Sequence, residues 1–146
     1  MAVSQIVRKW QTFAPQLQSV LRMVAAFMFM LAGTMKIFAL PVGIPPNGGT
    51  ADPLTEIWFG GMLEVFGGAL LFVGLFTRPV AFILSGEMAV AYWQFHAPHG
   101  IWPNLNNGIT AVLYCFLWLY LSAAGGGAWS LDAIRSRKRD GRKTFM

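Results

Sequence analysis

The sequence predicts an all-α protein: a four-helix transmembrane bundle with amphipathic interfacial segments at both ends. Three observations carry that reading. Of 146 residues, 55% are hydrophobic and only 12% charged, about half the charge of an ordinary soluble domain. The apolar residues gather into four runs, each approaching the ~20 residues that cross a bilayer core. Lysine and arginine are absent from the two intervening segments 41–53 and 98–107, yet they crowd the remaining ends.

Residues 1–16 form the first element. Ile6, Val7, Trp10 and Phe13 share one helical face, while Gln5, Arg8, Lys9 and Thr12 lie away from it. That pattern suits a helix lying in the plane of the interface, and Pro15 is expected to break it before the first span. The apolar run that follows is longer than the core of a signal peptide and lacks a small-x-small cleavage site. It is read as a retained span.

The membrane domain, residues 17–127, contains spans at about 17–40, 54–76, 79–97 and 108–124. The second and third are joined by Thr77-Arg78-Pro79 alone, which makes them an antiparallel hairpin with proline in the first turn of the third. Trp118, Tyr120 and Trp129 are expected to anchor the end of the fourth span at the interface. Gly125-Gly126-Gly127 then stops the helix. Ser130 can cap a short amphipathic helix, Leu131-Asp132-Ala133-Ile134, with Asp132 favourable in its first turn.

Residues 128–146 thus hold a second interfacial segment and a basic tail: Arg135, Arg137, Lys138, Arg139, Arg142 and Lys143. Nucleic acid is one partner for such a run, but beside a last span anionic lipid headgroups fit better. The lipid bilayer is therefore the expected partner, and no nucleic acid. With Arg8, Lys9, Arg78 and the tail on one side, the positive-inside rule puts both termini in the cytoplasm. The single Cys115 permits neither an internal disulfide nor a Cys-x-x-Cys relay; it reads as a small core residue.

Two glutamates stand out because a carboxylate in hydrocarbon is costly, roughly 2.5–3.5 kcal/mol even on insertion scales. Glu64 lies about 15 Å below the outer end of span two, and Glu87 about 13–14 Å above the inner end of span three, at 1.5 Å per residue. In a core ~30 Å thick both fall near the midplane. Gly60, Gly61, Gly67 and Gly68 lie three or four residues from Glu64, a spacing that lets another helix approach closely. Glu64 then either satisfies a buried donor at a tight crossing or belongs to a functional site.

In span one, Arg22, Ala26, Phe29, Gly33 and Lys36 share a face. Arg22 and Lys36 can snorkel to the two interfaces. Alternatively, they turn inward with Gly33 and form a buried polar site with Glu64 and Glu87.

His96 and His99 flank Pro98 at the outer end of span three. Proline spoils their helical pairing, and no other histidine is present to complete an axial haem pair inside a bundle. Neither haem nor metal is expected, and the histidines read as residues at a ligand mouth. Trp102, Asn104, Asn106 and Asn107 in the following loop can bind a quinone-like ring or can simply satisfy loop backbone. Arg78 marks the opposite end.

These residues resemble the DoxX family of small bacterial membrane proteins. The matching pieces are Arg22 and Gly33-x-x-Lys36, Glu64-x-x-Gly67-Gly68 running into Gly74-Leu75-Phe76-Thr77-Arg78-Pro79, Met88, His96, the Gly-x-Trp at 100–102, and Ser130-Leu131-Asp132. The resemblance implies a multi-pass protein of the bacterial inner membrane with both termini cytoplasmic. Because some relatives are subunits of quinone-linked oxidoreductases, it also implies a quinone-associated accessory subunit of a membrane redox complex. A quinone would be held without a covalent bond, with a soluble or membrane redox partner and scope for homo-oligomers. Ile109 departs from the pattern, since many relatives have an acidic residue there. A non-catalytic scaffold that recruits a partner, or a small proton-coupled carrier, are the alternatives. No Rossmann or P-loop signature is present, which argues against stand-alone catalysis.

Overall fold

The computed structural model describes residues 2–143, with side chains described from residue 5 to residue 138. Of the basic run, the side chains of Arg139, Arg142 and Lys143 fall outside that description. Among the described residues the chain is all-helical, with α1 (Ala2–Gln11), α2 (Ala14–Phe38), α3 (Glu56–Val73), α4 (Thr77–Ala91), α5 (Ile109–Ala124) and α6 (Leu131–Lys143). No β-strand is formed among these residues.

Two of the four expected spans rest on helices long and apolar enough to cross a bilayer: α2, with 25 residues, and α3, with 18. Only 28% and 22% of their most apolar stretches are buried. A core helix of a soluble protein would cover that surface, whereas broad exposed apolar surface marks contact with lipid. The apolar helix α5 is shorter, at 16 residues. The helix α4 has 15 residues and continues through a π-helical turn at Tyr92–His96 and a 3-10 turn at Ala97–His99.

Several boundaries differ from the sequence reading. Pro15 does not end α1; it sits in the first turn of α2, where its missing N–H costs no hydrogen bond. The second span is trimmed at both ends. Thr55 caps α3, its hydroxyl accepting from Trp58 N–H at 3.3 Å, and Gly74 ends it with φ of 70°. The link to α4 is consequently Gly74-Leu75-Phe76, and Thr77 and Arg78 already belong to α4. Asp132 starts that helix early, for its carboxylate accepts from Phe76 N–H at 2.9 Å and Thr77 N–H at 2.8 Å. Ser130 does cap α6, accepting from Ala133 N–H at 3.1 Å, but the helix runs on through the basic residues to Lys143.

Small residues set the packing. A Cβ added at Gly33 of α2 would lie 2.8 Å from the Gly61 carbonyl oxygen and the Val65 nitrogen of α3. One added at Gly68 would meet Met30 at 2.6 Å. Gly67 instead faces Leu84 of α4, also at 2.8 Å. The glycines flanking Glu64 thus serve two neighbours, α2 and α4. On the far side, Ala81, Leu84 and Met88 of α4 bury against Ala111, Trp118 and Leu121 of α5. Phe29 of α2 meets Tyr114 and Trp118 of α5 at ring separations of 5.0 and 5.4 Å. Trp118 is therefore fully buried and cannot act as the interfacial anchor expected of it; Tyr120 and Trp129 remain exposed.

The opposing backbone at Gly33 cannot yield, so Gly33→Ala should destabilise the protein by about 1–3 kcal/mol. At Gly86 an added Cβ meets nothing within 4 Å, and Gly86→Ala should be neutral or mildly stabilising, because alanine favours a helix. Unfolding in mixed detergent micelles measures both. Equal stability of the two variants would remove the close crossing.

Backbone pairing closes the end where the chain enters α2 and leaves α5. Ala128 N–H donates to the Pro15 carbonyl at 3.0 Å, and Trp129 N–H to Ser19 Oγ at 3.0 Å. The junctions leading to α1 and α6 therefore lie together.

Candidate polar site in an apolar cavity

The close crossing of α2 and α3 brings Lys36 to Glu64. Its Nζ lies 2.7 Å from Glu64 Oε1, with Lys36 30% and Glu64 3% exposed. A carboxylate so deeply buried requires a partner, and Lys36 is the partner present. The second oxygen, Glu64 Oε2, has none. From α4, Glu87 faces the same cavity as Lys36. Glu87 Oε1 occupies the space over Gly60, 3.3 Å from where a Cβ would stand, and its Oε2 is buried without a partner. Among the described residues the ammonium pairs with Glu64 alone, and one buried oxygen of each carboxyl group remains free to meet a donor.

Lys36 and Glu87 both line a cavity of about 620 Å³ between α3 and α4, within the range of small-molecule sites. Phe59, Leu63, Ile83, Met88 and Phe95 make its walls apolar, and Glu56, Gln94 and His96 stand at its outer rim. Gln94 donates to the Glu56 carboxylate across that rim. His96 enters through the π-helical turn, a widening of the helix common at functional sites. Its Nδ1 lies 3.0 Å from the Asn106 carbonyl oxygen. An acceptor there requires Nδ1 to carry the proton in the neutral ring, which leaves Nε2 as an acceptor.

The structure separates the other candidate residues from this group. Arg22 is fully buried and serves as a cap, not as a fourth member of the site. Its guanidinium donates to the carbonyls of Gly126 at 2.8 Å, Phe72 at 2.6 Å and Trp129 at 2.7 Å, and to Leu71. It thereby ties the C-terminal end of α3 to the segment after α5. Fourteen residues of helix, roughly 21 Å, separate it from Lys36. Arg78 caps α5 in the same way, donating to Ala123 and Ser122 carbonyls.

Of the outer candidates, His96 alone reaches the cavity. His99 is exposed, with Nδ1 3.1 Å from the Phe95 carbonyl oxygen. Trp102 and Asn104 are exposed and line no part of it. The loop is organised by Asn106, whose Nδ2 donates to Gly100 O at 2.6 Å and whose Oδ1 accepts from Gly108 N–H at 2.8 Å. The Asn106 amide thus satisfies loop backbone. Among the described residues, no three His, Cys, Asp or Glu side chains converge as a metal site.

The sequence reading missed Gly60 as the floor beside Glu87, the Glu56–Gln94 rim and the Asp132 cap. Gly60 could have been found, since it lies one helical turn from Glu64. The other two pair residues 38 and 55 or 56 positions apart, and no local spacing betrays them.

Comparison with known proteins places this stretch. The DoxX family model matches residues 17–97, which include Lys36, Glu64, Glu87 and His96. An uncharacterized protein of Haemophilus influenzae is 42% identical over 126 residues, covering 84% of this chain and 92% of that relative. No solved structure matches the chain significantly.

Proposed function

The chain belongs to the DoxX family of membrane proteins, and from that premise we propose that it is a quinone-associated accessory subunit of a membrane redox complex. One observation carries the reading: a buried, incompletely paired Lys36–Glu64–Glu87 group reaches the wall of an apolar cavity of about 620 Å³. A flat ring with polar edges suits such walls and such a group. Lys36 Nζ would donate to a ring oxygen and Glu87 would offer its carboxyl group, while Glu64 holds Lys36 in place. At the rim, His96 Nε2 would accept from a hydroxyl of the reduced ring. A bound quinone would supply two-electron, two-proton chemistry, with electrons exchanged with a redox partner.

The proposal includes a four-helix bundle formed by α2 to α5, crossing the bacterial inner membrane with both termini cytoplasmic. The cation distribution supports it. Arg8, Lys9, Arg78, Arg135, Arg137 and Lys138 are exposed, and the paired junctions of α1 and α6 put them at one end, where the positive-inside rule expects them. Two interfacial segments, α1 and α6, would then lie on the same leaflet. A scaffold that recruits a partner through α6 is the second reading, favoured by the exposure of Arg135, Arg137 and Lys138.

Lipid extraction of the purified protein tests the leading reading. Quinone should be retained at close to one molecule per chain, and Glu87→Leu, which keeps the helix but removes the free carboxyl, should lower retention about tenfold or more, the loss of one strong hydrogen bond. Wild-type protein that carries no quinone and takes none up would contradict it.

A further inference from the structure

The cavity has a polar outer rim and an open apolar side. Its outer rim is bridged by the hydrogen bond between Gln94 and Glu56. Inward of the cavity Gly67 packs on Leu84, whose side chain lies 2.8 Å from where a Cβ would stand. Between these two points α3 and α4 part. At Gly60 the nearest atom facing an added Cβ is Glu87 Oε1 itself, at 3.3 Å.

The edges of this gap are Phe59 and Leu63 of α3 and Ile83 and Val90 of α4. All four line the cavity, and all are between 41% and 59% exposed. Side chains that are at once cavity wall and outer surface mark an opening, and here that surface faces hydrocarbon. Glu87 lies one helical turn from both Ile83 and Val90, so the polar group stands directly behind the apolar gap.

We propose that the cavity takes its ligand sideways from the bilayer, through the seam between α3 and α4, and that this ligand is a ring carrying a long hydrocarbon chain that remains in the seam. The inference rests on the quinone reading and adds a route and a substrate class: lipid-borne, long-chain quinones and not water-soluble rings. Burial of each methylene against the seam is worth about 0.8 kcal/mol, so a few suffice to favour the chain-bearing form.

The test compares two probes in the same detergent, 2,3-dimethoxy-5-methylbenzoquinone and its 6-decyl derivative, by equilibrium binding. For the wild type, the decyl probe should bind at least about tenfold more tightly. In Leu63→Trp and Val90→Trp, which fill the seam, the ratio of affinities should fall towards one. Phe27→Trp, on the exposed face of α2, controls for partition into the micelle and should keep the wild-type ratio. A ratio that survives both seam variants, or that is near one in the wild type, overturns the lateral route while the quinone reading stands. Failure of both probes to bind the wild type overturns the quinone reading itself.

Discussion

Replacing Arg22 by methionine should cost the protein about 5 kcal/mol or more, the largest effect expected of any single substitution. Methionine fills part of the volume but donates nothing. The carbonyls of Leu71, Phe72, Gly126 and Trp129 then lose the guanidinium that serves all four. Each buried acceptor left unsatisfied costs about 1–3 kcal/mol, and the end of the molecule where α1 and α6 meet loses its tie to α3. Arg22→Lys should fall between the two, since an ammonium at one point cannot reach acceptors that a planar fork spans. Unfolding in mixed micelles reads the effect. If Arg22→Met matched the wild type, the cap would contribute nothing and this part of the account would fail.

Lys36→Met should rank next, at about 3–5 kcal/mol, the cost of stripping a buried ion of its partner. The effect is asymmetric. Glu64 is 3% exposed and has nowhere to turn, whereas Lys36, 30% exposed, can reach water or headgroups along its stem. Glu64→Gln alone should therefore cost less. The pair Lys36→Met with Glu64→Gln should recover much of the loss, because no charge is then stranded. That non-additivity identifies direct coupling. Strictly additive losses would mean that the 2.7 Å pair does not stabilise the crossing.

How far the sequence disclosed the molecule depended on what kind of distance was involved. Helical periodicity placed Arg22, Ala26, Phe29, Gly33 and Lys36 on one face of α2, and all but Lys36 are buried there. Periodicity reports angle, however, and not height. Arg22 and Lys36 look alike from the helix axis yet stand four turns apart, so only Lys36 reaches Glu64. The glycine pattern around Glu64 indicated close approach, but only the packing shows that Gly61 and Gly68 serve α2 while Gly60 and Gly67 serve α4.

Helix ends were legible where a local signal sets them, as at Ser130 and Gly125. They were not legible where a remote group does, as when Asp132 caps α4 across 55 residues of chain. The outer loop misled for a related reason. Trp102 and Asn104 have the chemistry of ligand residues, but the loop turns them outward and gives the buried position to Asn106. Nothing in the sequence separates an amide that binds a ligand from one that closes a loop.

The central proposal is that the gap between α3 and α4, lined by Lys36 and Glu87, is where a quinone binds. Photolabelling the purified protein with an azidoquinone and mapping the modified peptides tests it most directly. The account expects labels within residues 56–63 and 83–96, suppressed by excess unmodified quinone and lost in Glu87→Leu. Competable labelling confined to the 99–107 loop or to the region around Arg78 would contradict it.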